Sequence, residues 1–321
     1  MATTRRRGGG ADFRHVVVDI DALAPHHPAL DQAVDLATRA GGRVTVVDVV
    51  EDVPGGARPY FSGRLEKEIV EHRKALLDEA AARYRRRKIK VETAVLRGRP
   101  ALAVVRYVLT RRPHPSVVVR SHVRDLSPRR ASFGSVDMQL LRKCPCPVWV
   151  VGIGERSRPK RILAAIHPDR DDLVEQALNR KIVESGLAVA DIERGSLTVL
   201  NAWAPYGEAL LEGRMSKAEL REFVGAARTV AAEQMDDFMA RLGDVGPRCE
   251  VKLLKGEPDV VIPRYVKRHD IDMVVMGTVV RTGLAGLVIG NTAEHMLQRL
   301  QCSVLALKPE GFVSPIEKAG T

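Results

Sequence analysis

Residues 140–151 read LLRKCPCPVWVV, and residues 296–307 read MLQRLQCSVLAL. Cys146 stands over Cys302 and Val148 over Val304, both at an offset of 156. Working outward, LRGRPALAVVRYV (96–108) lies over LKGEPDVVIPRYV (254–266) at an offset of 158, sharing G-x-P and RYV. The apolar stretch VVVDID (16–21) lies over ILAAIH (162–167) at an offset of 146. Self-similarity at a long period marks a duplicated unit. The drifting offset points to a longer first crossover in the second copy. The chain of 321 residues therefore divides into two copies of about 150 residues, an ordinary domain size. The expected units are 14–153 and 161–310. Between them runs a linker, 154–160, inside the Gly/Pro/charged stretch GIGERSRPK. A flexible tail is expected at 1–13 and a C-terminal tail at 311–321.

Each copy alternates short Val/Ile/Leu runs with helical periodicity. The strand candidates are 16–20, 43–50, 91–96, 116–119 and 147–151, then 161–166, 196–203, 249–254, 272–276 and 303–307. Nearly continuous apolar runs indicate strands covered on both faces, hence parallel sheets. LDQAVDLATRA (30–40), closed by Gly41-Gly42, and residues 65–87 have helical spacing. The expected fold is α/β, with two tandem doubly wound domains, each built on a five-stranded parallel sheet. Such sheets take ligands at the carboxyl ends of their strands.

Composition narrows the function classes. Apolar residues make up 45% of the chain, enough for a full core and too many for a disordered protein. No apolar run reaches the roughly 18–20 residues of a membrane helix. The N-terminus lacks the apolar segment of a secretory signal. The few cysteines, Cys144, Cys146, Cys249 and Cys302, suit a reducing cytoplasm. Net charge is +11, and all of it lies in the first half, where residues 1–155 hold 28 Lys/Arg against 17 Asp/Glu. A basic half can meet nucleic acid or an acidic protein. The densest run, RYRRRK (83–88), reads as the solvated end of a helix, where cations suit the dipole. No Walker loop, G-x-S-x-G elbow, H-E-x-x-H or EF-hand loop occurs. His26-His27 has no further ligands nearby for a metal, and Cys144-Pro145-Cys146 reads as packing.

The two matching segments, both G-x-P elements and MGTVVRTGLAGLVIGNTAEHMLQRL (276–300) together resemble tandem universal stress proteins over about residues 14–310. The resemblance implies pairing through the last strand of each unit, within the chain or in a homo-oligomer. It also implies a cytoplasmic role in stress survival, and ATP binding in some members. Those members carry G-x2-G-x9-G-[ST] after the fourth strand, where backbone N–H groups and a helix N-terminus meet phosphates. In the second copy Gly277 is followed by Thr278, then Val280 where glycine is wanted, then Gly290, Asn291 and Thr292. Asn291 and Glu294 also read as a capping box. At the end of the first strand, where the ATP-binding members place an aspartate, the second copy has His167 and the first has Asp21. In the first copy Arg120 is aligned with the first glycine and Val123 with the second, leaving Gly134-Ser135.

The expected function is non-enzymatic. A small molecule, ATP or another nucleotide or another phosphate- or acyl-bearing metabolite, is bound by the second copy through His167, Ala202, Gly256, Gly277, Thr278, Gly290, Asn291 and Thr292. Asp21, Gly134 and Ser135 form a remnant site in the first copy. The competing readings are an interaction module whose basic half contacts nucleic acid or an acidic partner, and a weak ATPase.

Overall fold

The computed structural model describes residues 13–53, 55–56, 63–87, 89–121, 133–152, 158–278 and 290–318. Positions 123 and 280 of the phosphate-loop reading lie outside them. The first half runs β1 (His15–Asp19), α1 (Pro28–Arg39), β2 (Arg43–Val50), α2 (Gly63–Arg85), β3 (Lys90–Arg97), α3 (Pro100–Leu109), β4 (Val117–Ser121), α4 (Ser135–Lys143) and β5 (Val148–Val151). The second half runs β6 (Arg161–Ile166), α5 (Leu173–Glu193), β7 (Ser196–Trp203), α6 (Glu208–Leu211), α7 (Lys217–Arg241), β8 (Glu250–Lys255), α8 (Pro258–Arg268), β9 (Met273–Gly277), α9 (Asn291–Arg299) and β10 (Ser303–Leu307). A last short helix, α10 (Pro315–Lys318), follows. The expected strands are all present. The longer crossover is α5, with 21 residues against 12 in α1.

The ten strands form one sheet in the order β3-β2-β1-β4-β5-β10-β9-β6-β7-β8. Each half is parallel and has the same order, so the second repeats the topology of the first. The halves meet where β5 pairs antiparallel with β10, Val150 opposite Val304 and Trp149 opposite Leu305. This junction covers an edge strand of each half, which alone would expose unpaired N–H and C=O groups. Buried side chains of α1, α2, α5 and α7 pack on one face of the sheet. Those of α3, α4, α8 and α9 pack on the other. Continuous apolar strands follow from this two-sided cover.

Local chemistry ends the elements. In α1 the Gly42 N–H donates to Ala37 O at 2.7 Å and the Gly41 N–H to Thr38 O at 3.2 Å, a Schellman closure with Gly41 at φ 64°. Both G-x-P elements place their glycine at positive φ, 111° at Gly98 and 129° at Gly256. The following Pro100 and Pro258 open α3 and α8. In α7 Ser216 and Glu219 form a capping box.

Contacts across the junction extend beyond the strands. Arg39 donates to Glu193 Oε2 at 2.8 Å, and Arg142 to Glu294 Oε1 at 2.7 Å. Residues beyond β10 turn back onto the first half, where the Ser314 hydroxyl donates to Lys143 O at 2.8 Å. Lys308, 3% exposed, donates to both Leu141 O and Thr278 Oγ1. Leu141 belongs to the last turn of α4, whose carbonyls lack partners within the helix, so the second half caps a helix of the first.

Candidate functional site

A cavity of about 1010 Å³ opens at the carboxyl ends of β6, β7 and β9, walled by α5, α7 and the starts of α8 and α9. His167, Ala202, Gly277, Thr278 and Thr292 line it. Three other expected contacts stand outside the lining. Gly256 precedes the lining residue Glu257 and holds the G-x-P turn. Gly290 is the N-cap of α9, and Asn291 is its first residue.

The capping box expected at Asn291 and Glu294 is not formed. The helix starts one residue earlier than that pairing requires, and Glu294 turns to Arg142. Gly277 has a packing reason of its own, since a Cβ there would lie 2.9 Å from Leu178 Cδ2 on α5. The His167 main chain is pinned by Asn179, whose amide donates to His167 O at 2.7 Å and accepts from its N–H at 3.3 Å. Asn179 is fully buried, and sequence reading missed it. The available signal was a lone amide within the apolar face of α5.

The cavity wall is mixed. Leu178, Ile182, Ala202, Met276 and Met296 supply apolar surface. Asp169, Asp172, Glu175 and Glu257 supply carboxylates, and no Lys or Arg lines it among the described residues. Burial first, then the charges of Asp172 and Asp169, push the Glu175 carboxyl up. Asn201, 3% exposed, leaves its Oδ1 without a partner among the described residues.

In the first half two ionic clusters stand at the corresponding place. Strand pairing puts Asp19 opposite Arg120, as Ala165 stands opposite Met276 in the second half. Ser121, not Arg120, therefore corresponds to Gly277; the alignment made from sequence was one residue out. The Arg120 guanidinium reaches Asp19 Oδ2, and its Nε donates to Asp137 Oδ1 at 3.0 Å. Burial works against the guanidinium, but the two carboxylates outweigh it and hold Arg120 protonated above its ordinary range.

The second cluster is Asp21–Arg73–Asp48. Arg73 Nη1 lies 2.6 Å from Asp21 and its Nε 3.4 Å from Asp48. Asp21, expected in the remnant site of the first copy, is thus held by a side chain of its own fold. Gly134 and Ser135 cap and begin α4, and the Gly134 N–H donates to Asp137 Oδ2 at 3.1 Å.

Three arginines of the basic run are paired within the fold while remaining half exposed. Arg83 pairs with Asp31 at 3.3 Å, Arg85 with Asp78 at 3.1 Å and Arg87 with Asp35 at 2.8 Å. Two of these pairs tie the end of α2 to α1. Cys144 and Cys146 are buried with their sulfurs 3.5 Å apart, the packing role expected of them. No helix among the described residues is long and apolar enough to cross a membrane.

The sequence profile of the universal stress protein family matches residues 12–152 and again 159–308. Universal stress protein E of Photorhabdus laumondii is 26% identical over 318 residues, covering 96% of this chain and 99% of that protein. Universal stress protein E of Escherichia coli K12 is 26% identical over 313 residues, covering 96% and 98%. Among solved structures, a functionally unknown protein of Pseudomonas aeruginosa PAO1 superposes with a TM-score of 0.71 at 24% identity, covering 95% and 96%. A universal stress protein of Archaeoglobus fulgidus superposes with a TM-score of 0.64 at 18% identity, covering 94% and 98%. With both halves matched by the profile and one topology repeated across the junction, the chain belongs to the universal stress protein family, as a tandem member similar to universal stress protein E.

Proposed function

We propose that this stress protein acts without catalysis, by taking one small molecule into the cavity of its second domain, in the cytoplasm. The ligand is a nucleotide or another phosphate- or acyl-bearing metabolite. The domains are 14–153 and 161–310. The observation that carries this reading is the contrast between the halves. The strand-end crevice of the second is open over about 1010 Å³, a size that holds a drug-sized ligand. The same crevice in the first is crossed by ionic side chains.

Within the proposed range, the described wall favours the acyl end. Leu178, Ile182, Met276 and Met296 offer an apolar floor, and the carboxylates oppose a polyphosphate. The N-terminus of α9, with glycine as its N-cap and no capping side chain, leaves N–H groups to meet a single anionic headgroup. Binding acts by shifting conformation or partner choice.

Native mass spectrometry of the purified chain tests the proposal, followed by dialysis against labelled ATP and labelled dodecanoate. One molecule retained or taken up per chain is expected, lost when Ala202→Trp fills the floor. A chain that carries nothing and takes up neither probe at millimolar concentration contradicts it.

A further inference from the structure

The lining of the second crevice and the ionic clusters of the first can be compared position by position. Ala165 and Met276 stand in the register of Asp19 and Arg120. Ala293 lies two residues after the first residue of α9, as Asp137 does in α4. His167 and Asn201 correspond to Asp21 and Asp48, by counting along the paired strands β6/β1 and β7/β2. For the long helices the buried residues set the alignment. Leu77, Ala81 and Tyr84 of α2 have the same spacing as Ala231, Met235 and Phe238 of α7. Arg73 then corresponds to Ala227. Ala165, His167, Asn201, Ala227, Met276 and Ala293 all line the open cavity. Their six counterparts are the members of the two clusters, Asp19–Arg120–Asp137 and Asp21–Arg73–Asp48.

We infer that Arg73 and Arg120 are built-in occupants of the first domain's crevice, and that these two residues confine ligand binding to the second domain. The inference rests on the proposed cavity reading and goes beyond it by naming what sets one site per chain. The physical reason lies in the geometry. Arg120 extends from a strand end across to the start of α4, and Arg73 reaches from α2 to the ends of β1 and β2. Together they approach from both faces of the sheet. Each arginine side chain is only 18% exposed, and each guanidinium is held between two carboxylates. A ligand entering there must displace a charge-assisted pair, whereas in the second domain it meets alanine and methionine.

The test transplants residues in both directions. The opened protein carries Asp19→Ala, Arg120→Met and Asp137→Ala with Asp21→His, Asp48→Asn and Arg73→Ala. The closed protein carries Ala165→Asp, Met276→Arg and Ala293→Asp. Titration with the apolar fluorophore 1-anilinonaphthalene-8-sulfonate counts sites, with circular dichroism melting as the check on folding. One site in the parent, two in the opened protein and none in the closed protein are expected. A folded opened protein that stays at one site, or a folded closed protein that keeps its site, overturns the assignment to the arginines and leaves the cavity reading standing. A parent that binds no fluorophore overturns both. Should the six-fold variant fail to fold, the closed protein decides alone.

Discussion

At the scale of single residues, Arg194 and Lys308 carry the clearest costs. Arg194 sits at φ 53°, at the turn after α5 where the first half has Gly41 at φ 64°. The following Gly195 repeats Gly42: its N–H closes onto Ala190 O at 2.8 Å, and a Cβ would meet Lys160 O at 2.3 Å. A left-handed non-glycine residue costs about 1 kcal/mol. Arg194→Gly is therefore expected to stabilise the chain by about 0.5 kcal/mol after the added freedom of the unfolded glycine is subtracted, read as a raised urea midpoint. Lys308 has its amine buried beside Leu141 O, Thr278 Oγ1, the Phe312 ring and the Cys144 thiol, and no carboxylate pairs with it among the described residues. Burial lowers its pKa from 10.5 to about 7. Between those values the unfolded chain holds one proton more than the folded chain, so stability rises with pH across that window. Below about 7 both forms are protonated and the full cost is present. Lys308→Met removes this dependence. Relative to that variant, the parent should gain on the order of 1–3 kcal/mol between about pH 6 and about pH 10, measured by urea unfolding. A difference that does not move with pH contradicts the burial of a charged amine.

At the scale of elements, the ion cluster joining β1, β4 and α4 is the sharpest test of the packing. Removing Arg120 alone strands Asp19, 2% exposed, and Asp137, also 2% exposed, without their main cation. Arg120→Met is expected to cost about 3–5 kcal/mol. Adding Asp19→Ala and Asp137→Ala should recover most of it, because replacing a whole buried ionic group by apolar residues is close to neutral. Urea midpoints of the single and triple variants decide this, and a triple variant weaker than the single one contradicts it. The elements themselves were legible in the sequence, since β2, β6, β7 and β10 begin and end where their Val/Ile/Leu runs do. A strand buried on both faces has to be apolar throughout. The clusters were not legible. Asp19 and Arg120 are 101 residues apart, and Arg73 and Asp21 are 52 apart; ionic residues in strand and helix ends leave no periodic trace. The one-residue slip at Arg120 arose because β4 ends in Arg120-Ser121 where β9 ends in Met276-Gly277, so no glycine marks the register in the first copy. At the candidate site, strand-end position identified His167, Ala202 and Gly277. It could not identify Asn179 or Ala227, which reach the cavity or its rim from helices.

At the scale of the whole molecule, one topology occurs twice and is joined edge to edge through β5 and β10 into a ten-stranded sheet. The joint is reinforced from the second half by Lys308 and Ser314 on α4. Duplication leaves two crevices, and side-chain chemistry has treated them in opposite ways. One is filled by arginines held between carboxylates, and the other is lined by alanine, methionine, His167 and Asn201. The universal stress fold is thereby kept symmetric in backbone, and on the proposed reading its binding capacity lies on one side. Xenon, which enters apolar space without needing a specific partner, reports this asymmetry most directly in a crystal of the parent chain under pressure. Xenon density walled by Ala165, Ala227 and Met276, with none between Asp19 and Asp137, is the predicted result; xenon in both crevices, or only in the first, would contradict it.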